Sequence, residues 1–463
     1  MSFVVNTRLT IIMAKYHLIS LGCQMNLSDS ERVRALVEQH GYEWTDNEKE
    51  ANLLGILACS VRQKAIDKVY SKINRWNKRK NRENLITFLS GCILPTDKEK
   101  FLKLFDIVFP MSELKELPQM LHQYGVASPA SVRNFGNSLI LNEHIRDFWN
   151  INPKYNSSFE AFVPIQNGCD KFCTFCAVPY TRGREVSRPS AEILDEVKNL
   201  VESGYKSITL LGQNVNSYGL DKKGDEISFP QLLELIGEYG RDSGKEFWVY
   251  FTSPHPRDMT DDVIDVIAKY PNLAKQIHLP LQSGDNKVLI RMNRKHTVDK
   301  YRQIIHKIRD SLPQATIFTD IIVGFTGETD EQFDNTCSAL DEFKFNMAYI
   351  AMYSPRPGAA SSRWQDDIPH EVKKDRFHRL SDELQKHTLA FNENMIGKTF
   401  RVLVTGKDRK DGYLSGLTEG KIVLRFPSED ESLIGSFTDV KISSATNFSV
   451  QGELTKAKEA KPV

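Results

Sequence analysis

Cys169, Cys173 and Cys176 fall within eight residues, in a loop that follows the strand-like run Ala161 to Ile165. A [4Fe-4S] cube takes four thiolates, so a loop that supplies three leaves one iron open to a small molecule. Such a site suits a cluster that performs chemistry rather than one that only carries electrons. Thiolates also suit zinc, and spacing by itself does not separate the two metals.

Three further cysteines share a different logic. Cys23, Cys59 and Cys92 each come just after a strand-like run: Leu18 to Leu21, Leu53 to Leu57 and Ile86 to Leu89. They are separated by one strand–helix unit each. In a parallel sheet the carboxyl ends of neighbouring strands line one edge, so these thiols are expected to converge as a second three-thiolate set, for iron or for zinc. Cys337 differs, because Phe333, Cys337, Leu340 and Phe343 recur at helical spacing and read as core.

The elements that must position these residues form an α/β chain. In the first third, apolar runs at 16–21, 52–57 and 85–89 alternate with helical patterns at 28–40, 61–77 and 98–105, predicting a parallel-sheet domain. The Asn/Ser-rich stretch 150–158 reads as part of a linker. Strand candidates then recur at 161–165, 207–211, 248–252, 276–279, 315–323 and 347–352, which predicts a partial or complete parallel β/α barrel. Its active face should lie at the strands' carboxyl ends, where the loop Gly168 to Cys176 falls. A long polar helix is expected over 370–394. Short strands at 399–405, 421–425 and 436–442 then predict a small antiparallel β-barrel.

Composition sets the limits. The 463 residues exceed one ordinary core, and 61 Lys and Arg against 60 Asp and Glu name no partner through net charge. Any nucleic-acid surface must come from local clustering. Seven cysteines are too few for a disulfide scaffold and fit a reducing, cytoplasmic setting. No apolar run reaches membrane-spanning length. The short run Leu9 to Met13 has no cleavage site after it and is read as part of an extension.

Several segments together carry a family resemblance: the Cys169, Cys173, Phe175, Cys176 loop, Tyr180 to Glu185, Leu211 to Val215, His278 to Gly284, Met292 to Arg294 and Asp320 to Phe325. With six cysteines so arranged and a β-barrel tail, the chain resembles the methylthiotransferases of the radical S-adenosylmethionine (SAM) superfamily over nearly its whole length. The run Gly22-Cys23-Gln24-Met25-Asn26 is similar to the MiaB-type members, which act on isopentenyladenosine beside the tRNA anticodon. Other members act on threonylcarbamoyl-adenosine of tRNA or on a ribosomal-protein aspartate. From another class, an iron-sulfur or zinc RNA-binding protein is the competing reading.

The resemblance implies two [4Fe-4S] clusters and SAM as cofactors. Cys169, Cys173 and Cys176 would hold the cluster that cleaves SAM, and Cys23, Cys59 and Cys92 the one that supplies or carries sulfur. It implies SAM contacts from Gln213 and Asn214 to the methionine moiety, from Gln282 and Ser283 to the ribose, and from the Phe175 backbone and the 324–328 loop to the adenine. No catalytic residue is expected beyond the cluster ligands. The implied organisation is an N-terminal extension at 1–14, a methylthiotransferase N-terminal domain at 15–140, a linker at 141–158, a radical SAM core at 159–392, a TRAM domain at 393–456 and a tail at 457–463. The expected partners of this monomer are a tRNA anticodon loop and an electron donor such as flavodoxin or ferredoxin, with no membrane. Arg182, Arg184 and Arg188, just past the loop, are expected to meet SAM or RNA phosphate. The chain departs from the family pattern at Leu57-Ala58, at Ile93-Leu94-Pro95 and at Thr326.

Overall fold

The computed structural model describes residues 14–60, 63–80, 82–124 and 145–455. The expected tail, nearly all of the N-terminal extension and the first residues of the linker lie outside these. The chain divides into two compact units, at Tyr155 and Asn156.

In the first unit, β1 (Lys15–Leu21), β2 (Glu43–Trp44), β3 (Leu53–Cys59), β4 (Ile86–Cys92) and β5 (Ile107–Val108) form one sheet in the order β2-β1-β3-β4-β5. Every neighbouring pair is parallel. All seven residues of β3 are buried, as a central strand covered on both faces requires. One cover is the helix Gln63–Lys80, whose buried residues Ile66, Val69, Ile73 and Trp76 return every three or four positions. They meet Leu54, Ile56 and Leu89 of the sheet in one core, and each such side chain contributes roughly 1.5–3 kcal/mol on burial. The helix expected at 28–40 runs from Gln24 to Gln39, so it starts directly at Cys23.

The second unit begins with β6 (Glu160–Pro164) and a two-stranded antiparallel hairpin, β7 (Gln166–Asn167) with β8 (Val186–Ser187). Parallel strands follow: β9 (Ser207–Leu211), β10 (Trp248–Phe251), β11 (Gln276–His278), β12 (Thr316–Val323) and β13 (Met347–Met352). They pair as β6-β9-β10 and β11-β12-β13, and the bridge Val249↔Leu273 joins the two sets. Among the described residues β6 and β13 do not pair, so the barrel is partial. Strand β11 stops at His278, one residue short of expectation; Leu279 remains in the core and Pro280, which has no N–H to give a ladder, follows it.

The helix His370–Glu393 leads to a closed five-stranded barrel: β14 (Thr399–Lys407), β15 (Tyr413–Thr418), β16 (Val423–Pro427), β17 (Phe437–Ala445) and β18 (Val450–Leu454), in the order β14-β15-β16-β18-β17. This corrects the expected antiparallel barrel, because β16 and β18 are parallel while the other four pairs are antiparallel. The reason is topological: an odd number of strands cannot close into a ring with every neighbour reversed. Val402, Val404, Leu424, Phe426, Val440 and Ile442 fill its interior.

This small barrel seats its β15–β16 turn on the amino ends of the larger barrel's strands. The Tyr250 hydroxyl donates to the Glu419 carbonyl at 3.1 Å, the Lys275 N–H to Glu419 Oε1 at 3.0 Å and the Thr316 hydroxyl to the Gly420 carbonyl at 2.7 Å. Trp248 meets Phe437 edge-on, with ring centroids 4.5 Å apart. Lys421 sits in this seam with its ammonium 4.1 Å from the centre of the Tyr250 ring. Burial pulls the Lys421 pKa down to about 8, against the attraction of Glu160. Below pH 8 the folded and unfolded chains both carry the charge, and the fold bears the full cost of burying it. As pH rises from 8 toward the unfolded value of about 10.4, that cost is relieved. The relief is on the order of 3 kcal/mol. We expect thermal stability of the wild type to gain over that window relative to Lys421→Met, measured by melting at matched pH. Parallel curves for the two proteins would contradict the assignment.

Candidate metal centres

In the first unit, β1, β3 and β4 are adjacent, and their carboxyl ends carry the three cysteines. Cys59 and Cys92 are direct register partners, and Cys23 is the N-cap of the helix Gln24–Gln39. The order β2-β1-β3-β4-β5 places the reversal of strand order between β1 and β3, where open α/β sheets bind ligands. Asn26 ties these ends together. It is fully buried, its Oδ1 accepts from the Cys23 N–H at 3.4 Å, and its Nδ2 donates to the Ala58 carbonyl at 3.2 Å. Glycines leave room for it: a Cβ on Gly22 would stand 2.3 Å from Asn26 Oδ1, and one on Gly91, at φ +105°, 2.7 Å from Asn26 Nδ2.

In the second unit, the cysteine loop leaves the barrel at the carboxyl end of β6. Its ends are zipped by β7 and β8, with the Cys169 N–H donating to the Gly183 carbonyl at 3.2 Å and Asn167 Nδ2 to the Arg182 carbonyl at 3.0 Å. Its far side is gripped by Met292, Asn293 and Arg294. The Thr174 N–H donates to the Met292 carbonyl at 3.0 Å, Asn293 Nδ2 to the Phe172 carbonyl at 2.9 Å, and the Arg294 guanidinium to Cys173 Sγ at 3.4 Å. The Val178 N–H donates to Cys176 Sγ at 3.5 Å. Donors aimed at a ligand sulfur orient it and tune what it binds.

Both cysteine trios offer the soft sulfur donors that an iron–sulfur group takes. Burial pushes the Cys169 thiol up to about 12, and Cys176 and Cys173 add to the rise. A thiol shifted in this way keeps its proton until a metal cation displaces it.

The residues expected to contact SAM lie at the carboxyl ends of the same strands. Gln213 follows β9, and its Oε1 accepts from the Gly168 N–H, so this side chain braces the start of the cysteine loop. Asn214 is buried and donates to Asp258 Oδ2 at 3.1 Å. Asp258 also pairs with the buried Lys171 at 2.6 Å; burial works against its charge, but Lys171, Arg257 and Asn214 hold its carboxyl below the usual range. Gln282 is buried at φ +74°, a conformation costly for a side-chain-bearing residue. Its backbone is locked to β12, the N–H donating to the Asp320 carbonyl at 2.8 Å. Ser283 is fully buried, 3.4 Å from the Thr336 hydroxyl, and accepts from the Asp285 N–H at 3.2 Å. The Phe175 ring packs edge-on against Phe325, 6.5 Å between centroids. The 324–328 turn is pinned from the helix His370–Glu393: Arg376 pairs with the buried Glu328 at 2.8 Å, and Glu328 accepts from the Gly324 N–H at 2.7 Å.

The arginines past the loop differ from expectation. Arg188 is buried and paired with Glu192 and Glu196, because it lies two residues before the helix Ser190–Glu202 that carries both carboxylates. Arg184 forms a two-pronged pair with Asp170 at 2.7 and 2.9 Å. Arg182 is buried, with Nη1 3.4 Å from Asn167 Oδ1. All three therefore have partners within the fold, Arg188 on the following helix and Arg182 and Arg184 beside the cysteine loop. Sequence reasoning gave no role to Asn26, Lys171, Asp258 or Arg294, since each acts on a residue distant in the chain. It also passed over His255 and His296, two buried imidazoles 5.7 Å apart between centroids. Burial and the Arg294 charge lower both, His296 to about 4. The prolines flanking His255 were the available hint of a shaped turn.

A partial parallel barrel with a Cys-x3-Cys-x2-Cys loop at the carboxyl end of its first strand defines a radical SAM enzyme. Residues 163–340 match the model of the radical SAM superfamily, 15–110 that of the uncharacterized protein family UPF0004, and 393–455 that of the TRAM domain. A tRNA-2-methylthio-N(6)-dimethylallyladenosine synthase of Actinobacillus pleuropneumoniae serotype 5b is 38% identical over 455 residues, covering 96% of this chain and 93% of that one. The enzyme of the same name from Yersinia enterocolitica is equally similar, with the same coverage. Among solved structures, the radical SAM methyltransferase TsrM of Kitasatospora setae shares the fold at 13% identity, with a TM-score of 0.55 over 89% of this chain and 80% of that one. The chain belongs to the tRNA-2-methylthio-N(6)-dimethylallyladenosine synthase family of radical SAM methylthiotransferases.

Proposed function

We propose that this enzyme inserts a methylthio group at carbon 2 of isopentenyladenosine at position 37, beside the anticodon of tRNA. Near-full-length identity to synthases of that name supports the substrate. The observation that carries the two-centre reading is the placement of two cysteine trios at the carboxyl edges of two separate parallel sheets. When bound, a [4Fe-4S] group on Cys169, Cys173 and Cys176 supplies the electron that cleaves SAM, and one on Cys23, Cys59 and Cys92 supplies or carries the sulfur.

In this reading the protein's own residues hold and orient. Arg294 steadies Cys173 with a positive charge, and Met292 and Asn293 fix the loop that carries all three thiols. The Asn214 amide, set by Asp258, together with Gln213, Gln282 and Ser283 and the Phe175 backbone, forms the SAM-binding edge. Asn26 holds the strand ends that bear the other trio. The division of labour follows the segments 15–140, 159–392 and 393–456, with the chain working as a cytoplasmic monomer reduced by a flavodoxin or ferredoxin.

Mass spectrometry of tRNA nucleosides from a strain lacking the gene tests the proposal. The 2-methylthio derivative of isopentenyladenosine should vanish while unmodified isopentenyladenosine accumulates, and the wild-type gene should restore it. Persistence of that derivative would end the reading. Loss of methylthio from threonylcarbamoyl-adenosine instead would reassign the substrate.

A further inference from the structure

The helix Gln63–Lys80 carries seven basic residues and a single acid, Asp67, in a chain whose net charge is only +1. Its buried face is spent on the sheet. Three of the basic residues are occupied: Lys72 pairs with Glu48 at 2.6 Å, Arg79 with Glu83 at 2.7 Å, and Lys80 with Asp106. The other four, Lys64, Lys68, Arg75 and Lys78, are exposed, and among the described residues none of them forms an ion pair. Their spacing of four, seven and three residues keeps them on one side of the helix. They extend over about 21 Å of helix axis at about 1.5 Å per residue.

Such a one-sided row of unpaired cations is the electrostatic footprint of a phosphate backbone. The C-terminal barrel does not offer an equivalent: residues 399–455 hold seven Lys and Arg against eight Asp and Glu. Arg401 there is paired with Glu246, Lys407 with Glu431, and Lys421 is turned into the seam with the larger barrel. An enzyme whose substrate is a polyanion must neutralise phosphate somewhere, and this helix holds a one-sided row of four cations that form no ion pair among the described residues.

We propose that the face formed by Lys64, Lys68, Arg75 and Lys78 binds the sugar-phosphate backbone of the substrate tRNA; this rests on the tRNA reading given above. Phosphate contacts of this kind position an RNA without reading its sequence. The helix begins four residues after Cys59, so RNA held there is anchored to the element that follows one of the N-terminal cysteines.

The test replaces all four residues with Gln in the full-length chain, a change that keeps helix propensity nearly constant. Binding of fluorescently labelled tRNA is titrated by anisotropy between 50 and 200 mM salt. The variant should bind at least about tenfold more weakly at the low-salt end. The slope of log affinity against log salt should fall by about 3, since each phosphate contact contributes about 0.7–0.9. Iron content and RNA-free cleavage of SAM with a chemical reductant should match the wild type. An unchanged slope in a variant that retains its iron would overturn the proposal. So would unaltered tRNA binding combined with slower reduction by flavodoxin, which would give the face to an acidic redox protein. Failure of the wild type itself to bind tRNA would instead remove the substrate reading on which the proposal stands.

Discussion

Replacing Cys173 with Ala reduces 5'-deoxyadenosine formation from SAM to background, whereas replacing Cys59 with Ala leaves that formation intact and stops methylthio insertion. The expectation follows from ligand counting at two separate sites. Cys173 is buried and receives the Arg294 guanidinium, so its loss leaves the loop with two cysteine ligands where three are needed to hold a cube. Cys59 belongs to another compact unit, at the end of β3, and is not one of the three thiols of the loop. Iron and sulfide counts after anaerobic reconstitution should fall from about eight per chain to about four in either variant. Full methylthiolation by Cys59→Ala would refute the role given to the N-terminal trio, and stoichiometric zinc in place of iron would refute both centres.

Gly168→Ala produces the second largest effect, and it acts through backbone alone. Gly168 sits at φ +80°, where a Cβ would stand 2.0 Å from the Arg184 carbonyl oxygen and 2.6 Å from that of Gly183. Left-handed backbone costs an alanine roughly 1–2 kcal/mol, and contact with two backbone oxygens cannot be relieved by turning a side chain. The loop must therefore shift at its root, carrying Cys169 with it and breaking the bond from Gly168 to Gln213. We expect loss of the four irons of that loop and at least a tenfold fall in SAM cleavage, with the N-terminal irons retained. Wild-type iron content and cleavage in the purified variant would show that the loop tolerates the strain.

Much of the site was legible because its chemistry is written in local spacing. The loop at 169–176 and the three cysteines at strand ends needed only motif spacing and the rule that parallel strands present their carboxyl ends together. The side chains that hold those cysteines were not legible. Arg294 reaches Cys173 across 121 residues and Asn26 reaches Ala58 across 32, and no local pattern marks either pair. The same distance effect misled the reading of Arg188: a basic residue past a motif loop looks like a phosphate contact until the helix carrying Glu192 and Glu196 folds against it. Strands β15 and β18 went unmarked because short barrel strands are defined by closure with their neighbours.

By itself, the sequence determined which six thiols are available, that two kinds of cysteine arrangement exist, and that alternating strands and helices would bring each set to one edge. Periodicity and spacing are local properties, and they survive without knowledge of the fold. Only the tertiary structure decided that Cys59 and Cys92 share a register position, that Arg294 faces a cysteine sulfur, and that the small barrel closes through one parallel pair on the amino ends of the larger one. Those outcomes depend on which surfaces meet after collapse, and burial and hydrogen-bond satisfaction between distant segments, rather than any single segment's preference, set them.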